Sequence, residues 1–258
     1  MPAPTLVLSH PPHGGEVDLK LAAPVLGLAP ADVRLKVNYP VPEIWAAESA
    51  PAAEAAAATL RLAGFRVVVV PGAALAAIPP RNPVVSFAFE DHGLLVRGAE
   101  QGTLGYDASV IAVLFSPRPG ESKGGPAPAF LDLFTVVRGR LQRWTFLQGA
   151  TGFGGMGTRQ SASFGMNVHA FAADVGRRFA KCTTDERLVN LQVRRRVGAP
   201  PPGMVRRGFS YATTSLNELL ESLAPGLSEI EHEDLASRLA FLTQAAGQAG
   251  RRADGQTG

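Results

Sequence analysis

The chain has 258 residues, 46% of them hydrophobic and 18% charged, with a formal net charge of +3 and a pI near 9.3. This composition supplies a hydrophobic core and excludes global disorder, and the length predicts one large or two small domains. The charge is too modest for a dedicated nucleic-acid binder, and a single cysteine, Cys182, excludes an intrachain disulfide framework or a cysteine-rich zinc site.

The longest apolar stretch, 67–78, is interrupted by Pro71-Gly72 and falls short of the ~20 apolar residues a membrane helix needs. No membrane span is therefore predicted. The first residues carry no basic region ahead of their short apolar run, so no secretory leader is expected and the expected location is the cytoplasm.

In chain order, Thr5-Leu-Val-Leu-Ser9 is a short β-prone run, broken by His10-Pro-Pro-His-Gly-Gly15. Residues 16–28 carry apolar side chains at helical spacing with Pro24 inside, which predicts a helix that kinks or starts late. A second short helix begins near Pro30, placing Val33 and Val37 on one face. Residues 41–45 suit a short strand. Ser49 is a candidate cap for the alanine-rich helix 51–62, with Gly64 as its stop. Arg66-Val-Val-Val-Val70 is apolar on both faces and reads as a buried strand.

This order resembles a known fold. Gly27-Leu28-Ala29-Pro30-Ala31-Asp32-Val33-Arg34-Leu35-Lys36-Val37 is similar to the glycine-leucine turn and second helix of the C-terminal domain of the bacterial ribosomal stalk protein. Residues 53–62, followed by Ala63-Gly64-Phe65-Arg66-Val67-Val68-Val69, resemble its last helix, Ala-Gly turn and final strand. The Clp protease adaptor shares this topology. The lysine-rich factor-binding surface of the stalk domain is reduced here to Arg34 and Lys36. His10-Pro11-Pro12-His13 stands where the Clp adaptor has an acidic pocket. The resemblance therefore implies a small module that docks on other proteins, and neither family's specific activity.

Ile78-Pro-Pro-Arg-Asn-Pro83 is a stiff linker. Beyond it, 84–89 and 94–97 alternate around Glu90-Asp91-His92-Gly93, a hairpin signal, and 110–115 is a further strand. The Pro/Gly-rich stretch 117–128 predicts a loop. A second hairpin is expected from 130–137 and 141–147 around Arg138-Gly139-Arg140. About six antiparallel strands are expected in all. A helix over 161–179 follows, capped by Ser161 or Ser163, with Met166, Ala170, Phe171 and Ala173 as its inward stripe. Strands closed by one amphipathic helix look like a bacterial pleckstrin-homology-like domain. Glu90-Asp91-His92-Gly93-Leu94-Leu95-Val96 and Leu104-Gly105-Tyr106-Asp107 resemble that group's opening hairpin and following strand. The combination of both modules is similar to a bacterial family joining an adaptor-like N-terminal part to such a domain, which names a fold and no activity.

Residues 185–196 suit either a helix or a strand. Leu216, Leu219, Leu220 and Leu223 share one helical face, and 230–243 repeats the pattern with Leu235, Leu239 and Leu242. The expected fold class is thus α+β. A βααβαβ adaptor-like domain (1–77) precedes an antiparallel β-domain closed by a helix (84–181). A helical C-terminal extension (182–246) and a disordered tail (247–258) complete it.

Three features are candidates for chemistry. Gly152, Gly154 and Gly157 satisfy G-x-G-x-x-G between a strand and a helix, a pattern that can admit a pyrophosphate. An antiparallel hairpin, a late helix and no partner carboxylate stand against that reading, and Thr158 stands where a P-loop requires lysine. Arg194, Arg195, Arg196, Arg206 and Arg207 form the strongest basic patch. Nine Lys/Arg against two acids in 177–207 are followed by six acids against one base in 215–238. The patch is a candidate partner-binding surface, and no aromatic interleaving supports base stacking. The prolines between His10 and His13 prevent the single helical face that makes such a metal pair strong. No metal, cofactor or catalytic residue is predicted. The function expected is non-catalytic protein–protein interaction, a regulatory adaptor with a protein partner. The alternatives are a nucleotide-binding protein or enzyme using loop 149–157, and a nucleic-acid-associated protein using Arg194–Arg207.

Overall fold

The computed structural model describes residues 5–10, 16–37, 43–47, 49–117, 129–191 and 232–254. They fall into two compact units. The first is built from residues up to Ala77 with 232–235, and the second from 78–191 and 236–254. The class is α+β.

In the first unit the element order is β1 (Thr5–His10), α1 (Leu19–Leu26), α2 (Pro30–Val37), β2 (Glu43–Ala47), α3 (Ala50–Leu62), β3 (Arg66–Pro71) and α4 (Gly72–Ala76). β1 lies between β2 and β3 and pairs antiparallel with both, Val7 standing opposite Trp45 and Val69. α1 starts late, at Leu19, because the Asp18 carboxylate accepts the free N–H groups of Lys20 and Leu21, each at 3.0 Å. The Ser49 hydroxyl caps α3 by accepting from Ala52 N–H at 3.3 Å. α3 ends as expected, with Gly64 at φ +93° and Phe65 N–H closing on Leu60 C=O at 2.9 Å. Ala53, Ala57 and Leu60 recur on its buried face and join Val7, Ala22, Ala23, Leu26 and Val33 in one core. One expectation is corrected: β3 is a half-buried edge strand, because the sheet has only three strands and both faces of its valine run are incompletely covered.

The second unit holds β4 (Asn82–Phe89), β5 (Gly93–Gly98), β6 (Gln101–Gly105), β7 (Ser109–Pro117), β8 (Phe130–Val137), β9 (Arg140–Leu147), a 3-10 helix (Phe153–Arg159), α5 (Phe164–Arg178), β10 (Lys181–Leu191) and α6 (His232–Asp254). The sheet runs β10-β7-β8-β9-β4-β5-β6. Both predicted hairpins form. In the second, Arg138 (φ 50°) and Gly139 (φ 76°) are both left-handed, the turn geometry that matches strand twist.

Four corrections follow from tertiary packing. The sheet is mixed, since β10 pairs parallel with β7, and β4 pairs parallel with β9 at Asn82 and Pro83. β10 is parallel because α5 carries the chain back along the sheet before it re-enters. The region assigned to a helical extension therefore opens with an eleven-residue strand. The inward stripe of α5 is Val168, Phe171, Ala172 and Val175. Of the four residues expected inward, Phe171 faces the core, whereas Met166, at 63% exposure, and Ala170 and Ala173 face outward, leaving the larger side chains to pack on the sheet. Finally, α6 continues through the expected tail to Asp254. Its alanine-rich sequence propagates a helix. The 216–223 leucine run lies outside the described residues.

Candidate functional site

The two faces of the β7–β8–β9 sheet differ in chemistry. All of β8 from Phe130 to Thr135 is buried, so both faces are covered. On one face Leu131, Leu133, Val110, Ala112, Leu114, Trp144 and Phe146 form an apolar core with α5. Strand alternation sends Phe130, Asp132 and Phe134 to the other face. The pairing register places Asp185, Val113, Asp132 and Thr145 in one row across β10, β7, β8 and β9.

Asp132 is fully buried. One of its oxygens accepts from Arg143 Nη2 and from Ser237 Oγ, each at 2.6 Å, and the other accepts from Thr145 Oγ1 at 2.6 Å. Arg81 Nε stands 3.9 Å from the same carboxylate, and its guanidinium lies over the Phe130 ring at 4.1 Å. The Arg143 guanidinium is 5.2 Å from the centroid of Phe134, which also stacks on Phe241 of α6 at 4.3 Å. Burying Asp132 and Arg143 is costly, and these charge-assisted bonds offset that cost.

At the other end of the row, Arg187 grips Asp185 through Nε, at 2.8 and 3.0 Å, and through Nη2. Gln244 of α6 donates to Asp185 at 3.1 Å. Burial pushes the Asp185 carboxyl up, and the hydrogen bonds and charge of Arg187, helped by Gln244, outweigh it and hold the group below the ordinary carboxylate value. Chemically this is a charge-assisted hydrogen-bond network that attaches α6 to the sheet. Ser237 Oγ donates to a carboxylate already held by a guanidinium, an arrangement that fixes the orientation of the hydroxyl.

The glycine motif has a packing role. Gly152 N–H donates to Val85 C=O at 2.8 Å, bridging the loop to β4. Phe153 and Met156 are buried in the core. A Cβ on the neighbouring Gly155 would lie 2.1 Å from Phe87 C=O, so the loop backbone rests directly on β4. Gly154 and Gly157 are surrounded by open space, and α5 begins seven residues beyond Gly157. Ser163 holds the N-cap position of α5 without a side-chain bond. The Asn167 side chain instead clamps Ser161, accepting from its N–H at 2.6 Å and donating to its C=O at 2.9 Å.

Arg194, Arg195, Arg196, Arg206 and Arg207 lie outside the described residues. The buried Asp132, Arg143 and Ser237 were missed in sequence, although a charge centred in each apolar strand, Phe-Leu-Asp-Leu-Phe and Leu-Gln-Arg-Trp-Thr-Phe, is the signal that could have found the first two. Among the described residues no group of three or more His, Cys, Asp or Glu could hold a metal ion, and no helix is long and apolar enough to cross a membrane. No family model, curated protein or solved structure matches the chain.

Proposed function

We propose that this protein is a non-catalytic, cytoplasmic adaptor that docks on another protein through its first unit. The observation that carries this reading is the chain order of that unit, strand–helix–helix–strand–helix–strand. It is the order for which the sequence resembles two families of small docking modules. The unit also has a core of its own, to which α1 and α3 contribute Ala22, Ala23, Leu26, Ala53, Ala57 and Leu60, which suits a module that keeps its shape while it presents a surface.

The test is affinity capture from a lysate of the source organism with the full chain as bait, followed by amine-directed cross-linking. Lys20 on α1 and Lys36 on α2 report contact with the first unit. A stoichiometric protein linked through either lysine is expected. Recovery of only nucleotide or nucleic acid, or cross-links confined to Lys181, would overturn the reading.

A further inference from the structure

The glycine-rich stretch delivers an arginine to α5. Gly157 breaks the 3-10 turns with φ 60° and ψ −133°, a conformation open to glycine, and Arg159 ends the segment two residues later. The Arg159 guanidinium donates through Nη1 to Oδ1 of Asp174 on α5. Arg177, on the same helix face as Asp174, donates through Nη2 to that same oxygen. One carboxylate thus draws two like charges together from two elements.

Three observations set this cluster apart from a clamp that only ties the loop to the helix. Asp174 is buried, and its other oxygen, Oδ2, is buried with no hydrogen-bond partner. A carboxylate serving stability alone would give one oxygen to each arginine, because an unpaired buried oxygen costs free energy. The arginine side chains are 46% exposed at Arg159 and 69% exposed at Arg177, and ion pairs so open to water contribute little to stability. Among the described residues neither arginine makes another hydrogen bond or ion pair. Each therefore spends one corner of its guanidinium on Asp174 and leaves the rest of its donors unpaired. Two guanidiniums against one carboxylate also leave net positive charge at this surface.

We propose that Arg159 and Arg177, preset by Asp174, form a binding site for a phosphate monoester. Guanidinium forks rooted on different elements approach an anion from different directions. A phosphate monoester offers three free oxygens, enough for both forks, whereas the two oxygens of a carboxylate are filled by one. Its second negative charge also gains more from the paired guanidiniums than a carboxylate's single charge does. Asp174 is a positioning residue here. It fixes two long side chains in advance, so that the ligand does not bear that ordering entropy. The inference concerns the second unit and stands independently of the docking role proposed for the first.

Titration of the full chain with phenyl phosphate, at pH 7.5 and about 0.1 M ionic strength, tests this through the arginine Nε–H resonances in NMR spectra. Those of Arg159 and Arg177 should shift together, with a Kd of ~1 mM or tighter. Arg159→Gln and Arg177→Gln should each weaken binding at least about tenfold. Each variant leaves Asp174 one arginine, and its backbone spectrum shows that the fold is kept. Arg140→Gln removes the same charge from an exposed position on the β8–β9 hairpin and should change binding by less than about twofold. Acetate should bind at least about tenfold more weakly than phenyl phosphate. A short peptide carrying phosphoserine separates the sources of the monoester. Tighter binding than phenyl phosphate assigns it to a phosphorylated protein segment, and equal or weaker binding assigns it to a small molecule. No shift of either arginine, equal affinity for acetate, or a loss in Arg140→Gln as large as that in Arg159→Gln would overturn the proposal.

Discussion

The Ser237 hydroxyl donates to the Asp132 carboxylate across 2.6 Å, although 105 residues separate them in the chain. The two bonds that Asp132 accepts from β9 hold the sheet, and this third one attaches the last helix to it. The partners are therefore unequal in what their removal costs.

Asp132→Ala leaves the Arg143 guanidinium buried without its carboxylate, and should destabilise the second unit by ~3–5 kcal/mol. Ser237→Ala leaves the carboxylate with two remaining donors and should cost ~1 kcal/mol. Urea melts of both variants, followed through buried Trp144, measure the order. Equal losses would show that Arg143 finds compensation elsewhere.

Acid should weaken the grip on Asp185. Its folded pKa is depressed below the ordinary 3.8, so its contribution to stability is complete above that value. It fades as the pH falls through the lower, folded value. Urea midpoints at pH 7, 4.5 and 3 should therefore fall toward acid, and Asp185→Asn should flatten the part of that fall due to this group. An unchanged acid limb in the variant would show that Arg187 and Gln244 do not favour the ionised form.

Burial raises the Cys182 thiol above its ordinary 9.0, outweighing the Thr184 hydroxyl that lowers it. Less thiolate forms at neutral pH, so Cys182 should alkylate at least about tenfold more slowly in the native chain than in urea. Iodoacetamide labelling followed by mass spectrometry reads the ratio directly. Equal rates would place the thiol in free solvent.

The glycine loop separates packing from ligand binding by two neighbouring substitutions. Gly155→Ala forces a methyl group against the Phe87 carbonyl and should cost ~2 kcal/mol or more, visible as a lower Tm. Gly154→Ala meets open space and should leave Tm within about 2 °C. A nucleotide that raised the Tm of the wild type and not of Gly154→Ala would instead give the loop a binding role.

Much of the first unit was legible in sequence because its signals are local. Ser49 caps a helix, and Gly64 ends it by taking a left-handed conformation that side chains disfavour. The two hairpins of the second unit were legible for the same reason, since two or three turn residues determine their geometry. The α+β class follows from these elements. Whether loop 149–157 contacts a ligand or the sheet was not local, because Gly155 takes its role from Phe87, 68 positions earlier.

Tertiary structure alone decided the rest. Of the expected inward stripe Met166, Ala170, Phe171 and Ala173, only Phe171 is buried, and packing on the sheet set Val168, Ala172 and Val175 beside it. β10 became a parallel strand because α5 returned the chain beside β7. Asp132 and Ser237, 105 positions apart, carry no mutual signal in sequence, and only the fold brought them together. Propensity and turn chemistry act over a few residues and are written in the sequence itself. Strand partnership and the burial of charge depend on contacts between distant segments, whose loop-closure entropy is offset only when the whole unit assembles.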